Sequence, residues 1–154
     1  MSTTVMQALS ERELGYEVLS HPRTERAADE AEALEISLDE VAKTIVLVAG
    51  QGRARVVVPA SERVDLRKAR EALGEGKDAR LATEDELAAA YPMFELGAVP
   101  PFGGPEGDRV LVDPRVAERE WIVFEAGSHG ESLKMKTADL LGLTDAGIAD
   151  VCRD

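Results

Sequence analysis

Apolar positions in this chain recur in short blocks that switch between a helical and a strand period. Met6 to Leu14 reads as a short amphipathic helix ended by Gly15, and Tyr16 to Ser20 as a strand stopped by His21-Pro22. Thr24 is placed to cap an acidic, alanine-rich helix reaching Leu34. Ser37-Leu38-Asp39-Glu40 has the spacing of a capping box and opens a further short helix. The strongest strand signal is Thr44 to Ala49, where β-branched and aliphatic residues follow one another without a break. Gln51-Gly52 turns that strand back into Arg55 to Pro59 as a hairpin.

The pattern continues with a helix from Asp65 to Leu73, stopped by Gly74, and a second capping box, Thr83-Glu84-Asp85-Glu86, leading a helix to Ala90. Gly97 to Gly107 is a Gly/Pro loop, and Val110 to Val112 a short strand. Trp121 to Ala126 and Leu133 to Lys136 are strands flanking the turn Gly127-Ser128-His129-Gly130. Thr137 and Thr144 are each expected to cap a short closing helix. Strands and helices mixed in this way predict an α+β (mixed α/β) fold, with a compact, bent, barrel-like mixed sheet surrounded by short helices. The 154 residues suit one domain spanning 1–154.

Composition narrows the function classes. One cysteine, Cys152, excludes a disulfide framework and multi-cysteine zinc patterns, and the two histidines, His21 and His129, lie far apart in sequence. No metal and no cofactor is called for. The start MSTTVMQALSERE lacks the basic and apolar regions of a secretory signal, and no apolar stretch reaches a membrane span, so a soluble cytoplasmic protein is expected. The net charge of −12 argues against a broad grip on nucleic acid. Its distribution softens that argument: Arg53, Arg55, Arg63, Arg67, Lys68, Arg70, Lys77 and Arg80 give the stretch 53–80 a local balance of +3. These are the candidate phosphate contacts. The acidic run from Glu25 to Glu40 reads as a solvated helix face.

Three places could carry chemistry. Lys43 stands at the head of the apolar strand, on the face shared with Ile45 and Leu47. It either snorkels to solvent or presents a desolvated ammonium to an anionic or carbonyl oxygen. Gly97-Ala98-Val99-Pro100-Pro101 is either a solvent connector or a rigid pocket wall with free N–H groups at its start. Ser128 and His129 are either a polar turn or substrate hydrogen-bonders. Adjacent residues on an extended chain point apart, so they do not form a nucleophile–base pair. His21 carries the same two readings, and Cys152, without basic neighbours in sequence, reads as a packing residue.

Lys43 in Ala-Lys-Thr-Ile-Val-Leu, the Gly97-to-Pro101 loop and the late Ala126-Gly127-Ser128-His129 turn resemble, in that order, the YbaK and prolyl-tRNA synthetase-associated editing domains. The resemblance runs from about Tyr16 to about Val151. It implies hydrolysis of the ester bond of mischarged tRNA by a trans-acting aminoacyl-tRNA deacylase. The aminoacyl group would be small or polar (alanine, serine, threonine or cysteine). It also implies that Lys43 meets the terminal adenosine or the ester, that Gly97, Ala98, Val99, Pro100 and Pro101 shape the aminoacyl pocket, and that Ser128 or His129 contacts substrate; Thr44 and His21 are further candidate substrate-binding residues. The implied partner is the acceptor end of mischarged tRNA, with an aminoacyl-tRNA synthetase as a second one. An aminoacyl ester is already activated, so no protein nucleophile is required. A non-catalytic aminoacyl- or nucleotide-binding module is the competing reading.

Overall fold

A computed structural model describes residues 4–24, 26–50 and 52–154. Helix α1 (Val5–Glu11) is opened by Thr4, which forms a capping box with Gln7, and it ends earlier than the apolar pattern suggests. Strand β1 (Glu17–Ser20) leads to α2 (Ala27–Leu34). Thr24 does not cap α2. Its backbone N–H donates to the His129 carbonyl at 3.0 Å, and Arg26 occupies the cap position instead. A single 3₁₀ turn, Leu38–Glu40, precedes β2 (Ala42–Ala49), which forms an antiparallel hairpin with β3 (Gly52–Pro59); Gln51, the expected turn residue, lies outside the described residues.

Helix α3 (Leu66–Leu73) is capped by Asp65 and stopped by Gly74 in the left-handed region, as its sequence requires. Then follow β4 (Arg80–Leu81), α4 (Glu84–Ala90), β5 (Arg109–Val112) and α5 (Pro114–Ala117). Strands β6 (Trp121–Ser128) and β7 (Glu131–Lys136) form a second hairpin, followed by α6 (Thr137–Thr144) and β8 (Gly147–Ile148). The helix expected after Thr144 is absent. The Thr144 hydroxyl donates back to the Leu140 carbonyl, and the chain turns through Asp145 into β8.

The strands form two sheets, in orders β1-β7-β6 and β4-β2-β3-β5-β8. Among the described residues one parallel bridge, between Val41 and Val123, links them, and they do not close into a barrel. Strand β3 explains the core. Val56 and Val58 pack with Leu47, Ala69 and Leu73 under α3, while Val57 packs with Phe102, Ile122 and Phe124 between the sheets. A strand apolar on both faces is buried on both, and each fully buried valine contributes roughly 1.5–3 kcal/mol. Cys152 is buried in the first of these clusters. Burial and the nearby Asp113 push its thiol up to about 12, consistent with packing.

Candidate functional site

Strand β2 pairs with β3 along its whole length but with β4 only at Leu47 and Val48. The first half of β2 therefore has one edge that β4 does not cover. The Val46 carbonyl on that edge accepts from the Ala82 N–H at 3.0 Å. Strand alternation turns the peptide groups of Thr44, two residues earlier, to the same edge. Opposite that edge lies a cavity of about 160 Å³. Its walls come from Ala42 to Ile45 of β2, Gly97 to Val99 of the loop, Phe124 and Glu125 of β6, and Ala27 and Glu30 of α2.

Lys43 thus lines the cavity beside Thr44 and the start of the loop. It is half-buried, and its ammonium makes no hydrogen bond or ion pair with any other described residue. Burial lowers its pKa and Arg63 adds to that effect, while Cys152 and Glu62 oppose it. Cys152 belongs to the cluster under α3, on the side of the sheet where alternation also carries Ile45 and Leu47. Lys43 is therefore a rim residue.

Two glycines allow the close approaches that assemble the loop. Gly127, at φ +98°, is so close to Phe94 that a β-carbon would lie 2.6 Å from its ring, and the Glu95 N–H donates to the Gly127 carbonyl at 2.8 Å. Gly97, at φ +85°, sits against the His129 imidazole, where a β-carbon would lie 3.5 Å from Cε1. His129 is the member of the Ser128–His129 pair that meets the loop: its Nε2 lies 2.7 Å from the Leu96 carbonyl and it is buried. Ser128 ends β6 opposite Glu131. Pro100 and Pro101 lie outside the cavity lining; the Pro100 carbonyl accepts from buried Arg55 at 3.0 Å. His21 lies behind the cavity, with Nδ1 2.8 Å from the Pro22 carbonyl and Nε2 2.8 Å from the Ser132 hydroxyl.

Sequence reasoning missed the two carboxyl groups. Glu30 is 1% exposed and hydrogen-bonded to Ser132, so the acidic run is not a solvated face throughout. Its signal was present: Ala27, Glu30, Ala31 and Leu34 recur at helical spacing, which puts Glu30 on the apolar stripe of α2. Glu125 has a side chain 10% exposed, with Oε2 2.8 Å from His129 Nδ1. Burial, reinforced by Glu30, pushes Glu125 up to about 7, and burial raises Glu30 as well. Nothing local in the β6 sequence marks Glu125, because burial there comes from α2 and the loop.

The basic stretch is largely committed elsewhere. Arg53 and Arg55 bind Asp108, Lys68 binds Asp150 and Asp154, Arg70 donates to the Ala79 carbonyl, Arg80 binds Glu86, and Arg67 lies 3.7 Å from Glu71. Arg55, 1% exposed, is thus removed from the candidate phosphate contacts. Arg63 and Lys77 form no ion pair with any described residue. No described helix is long and apolar enough to cross a membrane.

The profile of the aminoacyl-tRNA editing domain matches residues 21–143. The fold is similar to the crystal structure of hypothetical protein APE2540, at 26% identity and TM-score 0.88 over 97% of this chain and 99% of that one. It is equally similar to a structure described as a candidate trans-editing enzyme for prolyl tRNA synthetase, at 27% identity and TM-score 0.87 over 97% and 95%. A candidate signal transduction protein from Marinobacter aquaeolei VT8 shares the fold at 24% identity and TM-score 0.73, the match covering 97% of this chain and 30% of that one. No curated protein matches the sequence.

Proposed function

The chain belongs to the aminoacyl-tRNA editing domain family, and from that premise we propose that it is a trans-acting deacylase. It hydrolyses mischarged tRNA carrying a small or polar amino acid: alanine, serine, threonine or cysteine. The observation that carries this reading is one cavity of about 160 Å³ that gathers Lys43, Thr44 and Gly97 to Val99. Full-length similarity to a candidate trans-editing enzyme supports action as one free-standing domain, 1–154. Such a protein meets its substrate in the cytoplasm, where charged tRNA is found.

The chemistry needs few groups. Water attacks the ester carbonyl, negative charge grows on its oxygen, and the terminal ribose hydroxyl leaves with a proton. The Thr44 N–H, directed into the cavity, and the Lys43 ammonium at its rim are the donors for that oxyanion. Lys43 acts as a charge, so activity should fall as pH rises through its lowered pKa. A lysine acting as general base would give a rate that rises over that range instead. Gly97 to Val99 limit the side chain by size, since a rigid wall rejects excess bulk better than it rejects a missing methyl group.

A panel of matched and mismatched aminoacyl-tRNAs tests the reading. We expect turnover of at least one mischarged small aminoacyl-tRNA, reduced about a hundredfold or more by Lys43→Ala with little change in melting temperature. Unchanged turnover in that variant removes the proposed role of Lys43. Tight binding without any hydrolysis makes the protein a binding module. Ala98 is 1% exposed in the loop wall, so Ala98→Val should narrow the accepted amino acids. An unaltered panel reduces the loop to a connector.

A further inference from the structure

The cavity has an acidic inner wall that the deacylation chemistry does not use. Glu30 and Glu125 both line it, on different elements, and both are almost wholly buried. Lys43 forms no ion pair with either carboxylate. No group of metal-ligating residues occurs among the described residues. Two carboxylates buried beside one cavity repel each other and lose hydration, so their presence requires a compensating cation or proton.

The hydrogen bonds show which groups share that proton. A carbonyl only accepts, so His21 Nδ1, 2.8 Å from the Pro22 carbonyl, carries a hydrogen. His21 Nε2, the Ser132 hydroxyl and the Glu30 carboxyl then form one chain. The chain has two complete arrangements. In one, Glu30 is a neutral acid donating to Ser132, which donates to His21. In the other, an imidazolium donates to Ser132, which donates to a carboxylate. Passing between them moves protons along the chain without gain or loss. His129 repeats the arrangement with Glu125. Its Nε2 must donate to the Leu96 carbonyl, and its Nδ1 lies 2.8 Å from Glu125 Oε2, an oxygen with no well-aligned hydrogen-bond donor. Each carboxyl therefore has one arrangement in which it is neutral and one in which it is ionised beside an imidazolium.

We infer that Glu30 and Glu125 form the subsite for the α-ammonium of the esterified amino acid. The inference rests on the deacylase reading and names what that site reads beyond side-chain size. An ammonium offers three donors and a positive charge and sits one carbon from the ester carbonyl. That geometry lets one small cavity hold the ammonium at its acidic wall while Thr44 meets the carbonyl at the strand edge. The consequence is a second specificity: esters whose α-nitrogen is acylated, peptidyl-tRNA among them, are excluded.

Alanyl-tRNA and lactyl-tRNA separate charge from size, because they differ only in ammonium against hydroxyl. With each rate divided by its uncatalysed rate, wild type should favour the alanyl ester by about tenfold or more, the worth of one charge-assisted hydrogen bond. Glu125→Gln and Glu30→Gln should raise KM for the alanyl ester and shrink that preference, while kcat changes less. Equal normalised rates for the two esters in wild type overturn the proposal and leave the deacylase reading standing. If neither ester is hydrolysed but other charged tRNAs are, the same comparison is made with seryl-tRNA and its hydroxy analogue. If no charged tRNA is hydrolysed, the deacylase reading falls. Titration with alaninamide against lactamide then decides whether the cavity takes an ammonium, and equal binding of the two overturns it. The wild-type comparison holds even if a glutamine variant fails to fold.

Discussion

Two buried charged clusters flank the same loop, and they are satisfied to different degrees. Behind the second half of the loop, Arg55 donates Nε to Asp108 at 2.9 Å, Nη1 to the Pro100 carbonyl at 3.0 Å and Nη2 to the Gly103 carbonyl at 2.6 Å. The Tyr91 hydroxyl completes the Asp108 shell at 2.5 Å, and its ring lies 5.0 Å from the Arg55 guanidinium. Beside the first half of the loop, Glu30 and Glu125 have no basic side chain but histidine to balance them among the described residues. The guanidinium cluster is closed and holds the loop in place. The carboxyl cluster faces a cavity and is completed by a charge from outside. A buried charge paired with an opposite charge is framework; a buried carboxyl backed by a titratable group and facing a cavity marks a site.

Arg55→Ala leaves Asp108 buried without its main partner and frees two loop carbonyls. It should cost about 4 kcal/mol of stability in denaturant unfolding and lower kcat/KM as the loop slackens. A loss below about 1 kcal/mol would mean that the cluster is not what holds the loop. Glu125→Gln should act in the opposite direction. Because folding raises the Glu125 pKa to about 7, its stability contribution is complete below pH 4.5 and lost as pH rises to about 7. Relative to wild type, the glutamine variant should therefore gain on the order of 2 kcal/mol at pH 8 over its value at pH 4. A flat difference across that range would place Glu125 in an ordinary solvated setting. The smallest effect concerns the surface: Arg63→Ala and Lys77→Ala should each weaken tRNA binding by about threefold at low salt and not at high salt, without changing melting temperature.

Much of the fold was legible because its signals are local. Asp65 and Gly74 bound α3, Thr83 and Glu86 open α4, and the aliphatic run of β2 needs no partner to declare itself a strand. Gly97 and Gly127 read as turn residues in the sequence, although only the structure shows that Gly97 adopts a φ of +85° and that the missing side chain of Gly127 makes room for Phe94. The misplaced elements are those whose conformation depends on a distant neighbour. Thr24 looked like a helix cap but is held by the His129 carbonyl, and β8 is two residues long and exists only beside β5.

The sequence by itself determined the mixed α+β class, the first hairpin and the chemical types available: one strand-end lysine, a constrained Gly/Pro loop and a late histidine. Periodicity is a short-range property, so it says which face of an element is buried. It does not say what that face meets. Tertiary structure decided the rest. It brought α2, β2, β6 and the loop around one cavity, sent Arg55 inward rather than toward phosphate, and backed each buried carboxyl with a histidine. Those decisions depend on desolvation and on partners more than a hundred residues apart in the chain, such as Glu30 and Ser132, 102 residues apart, and neither is written in any local window.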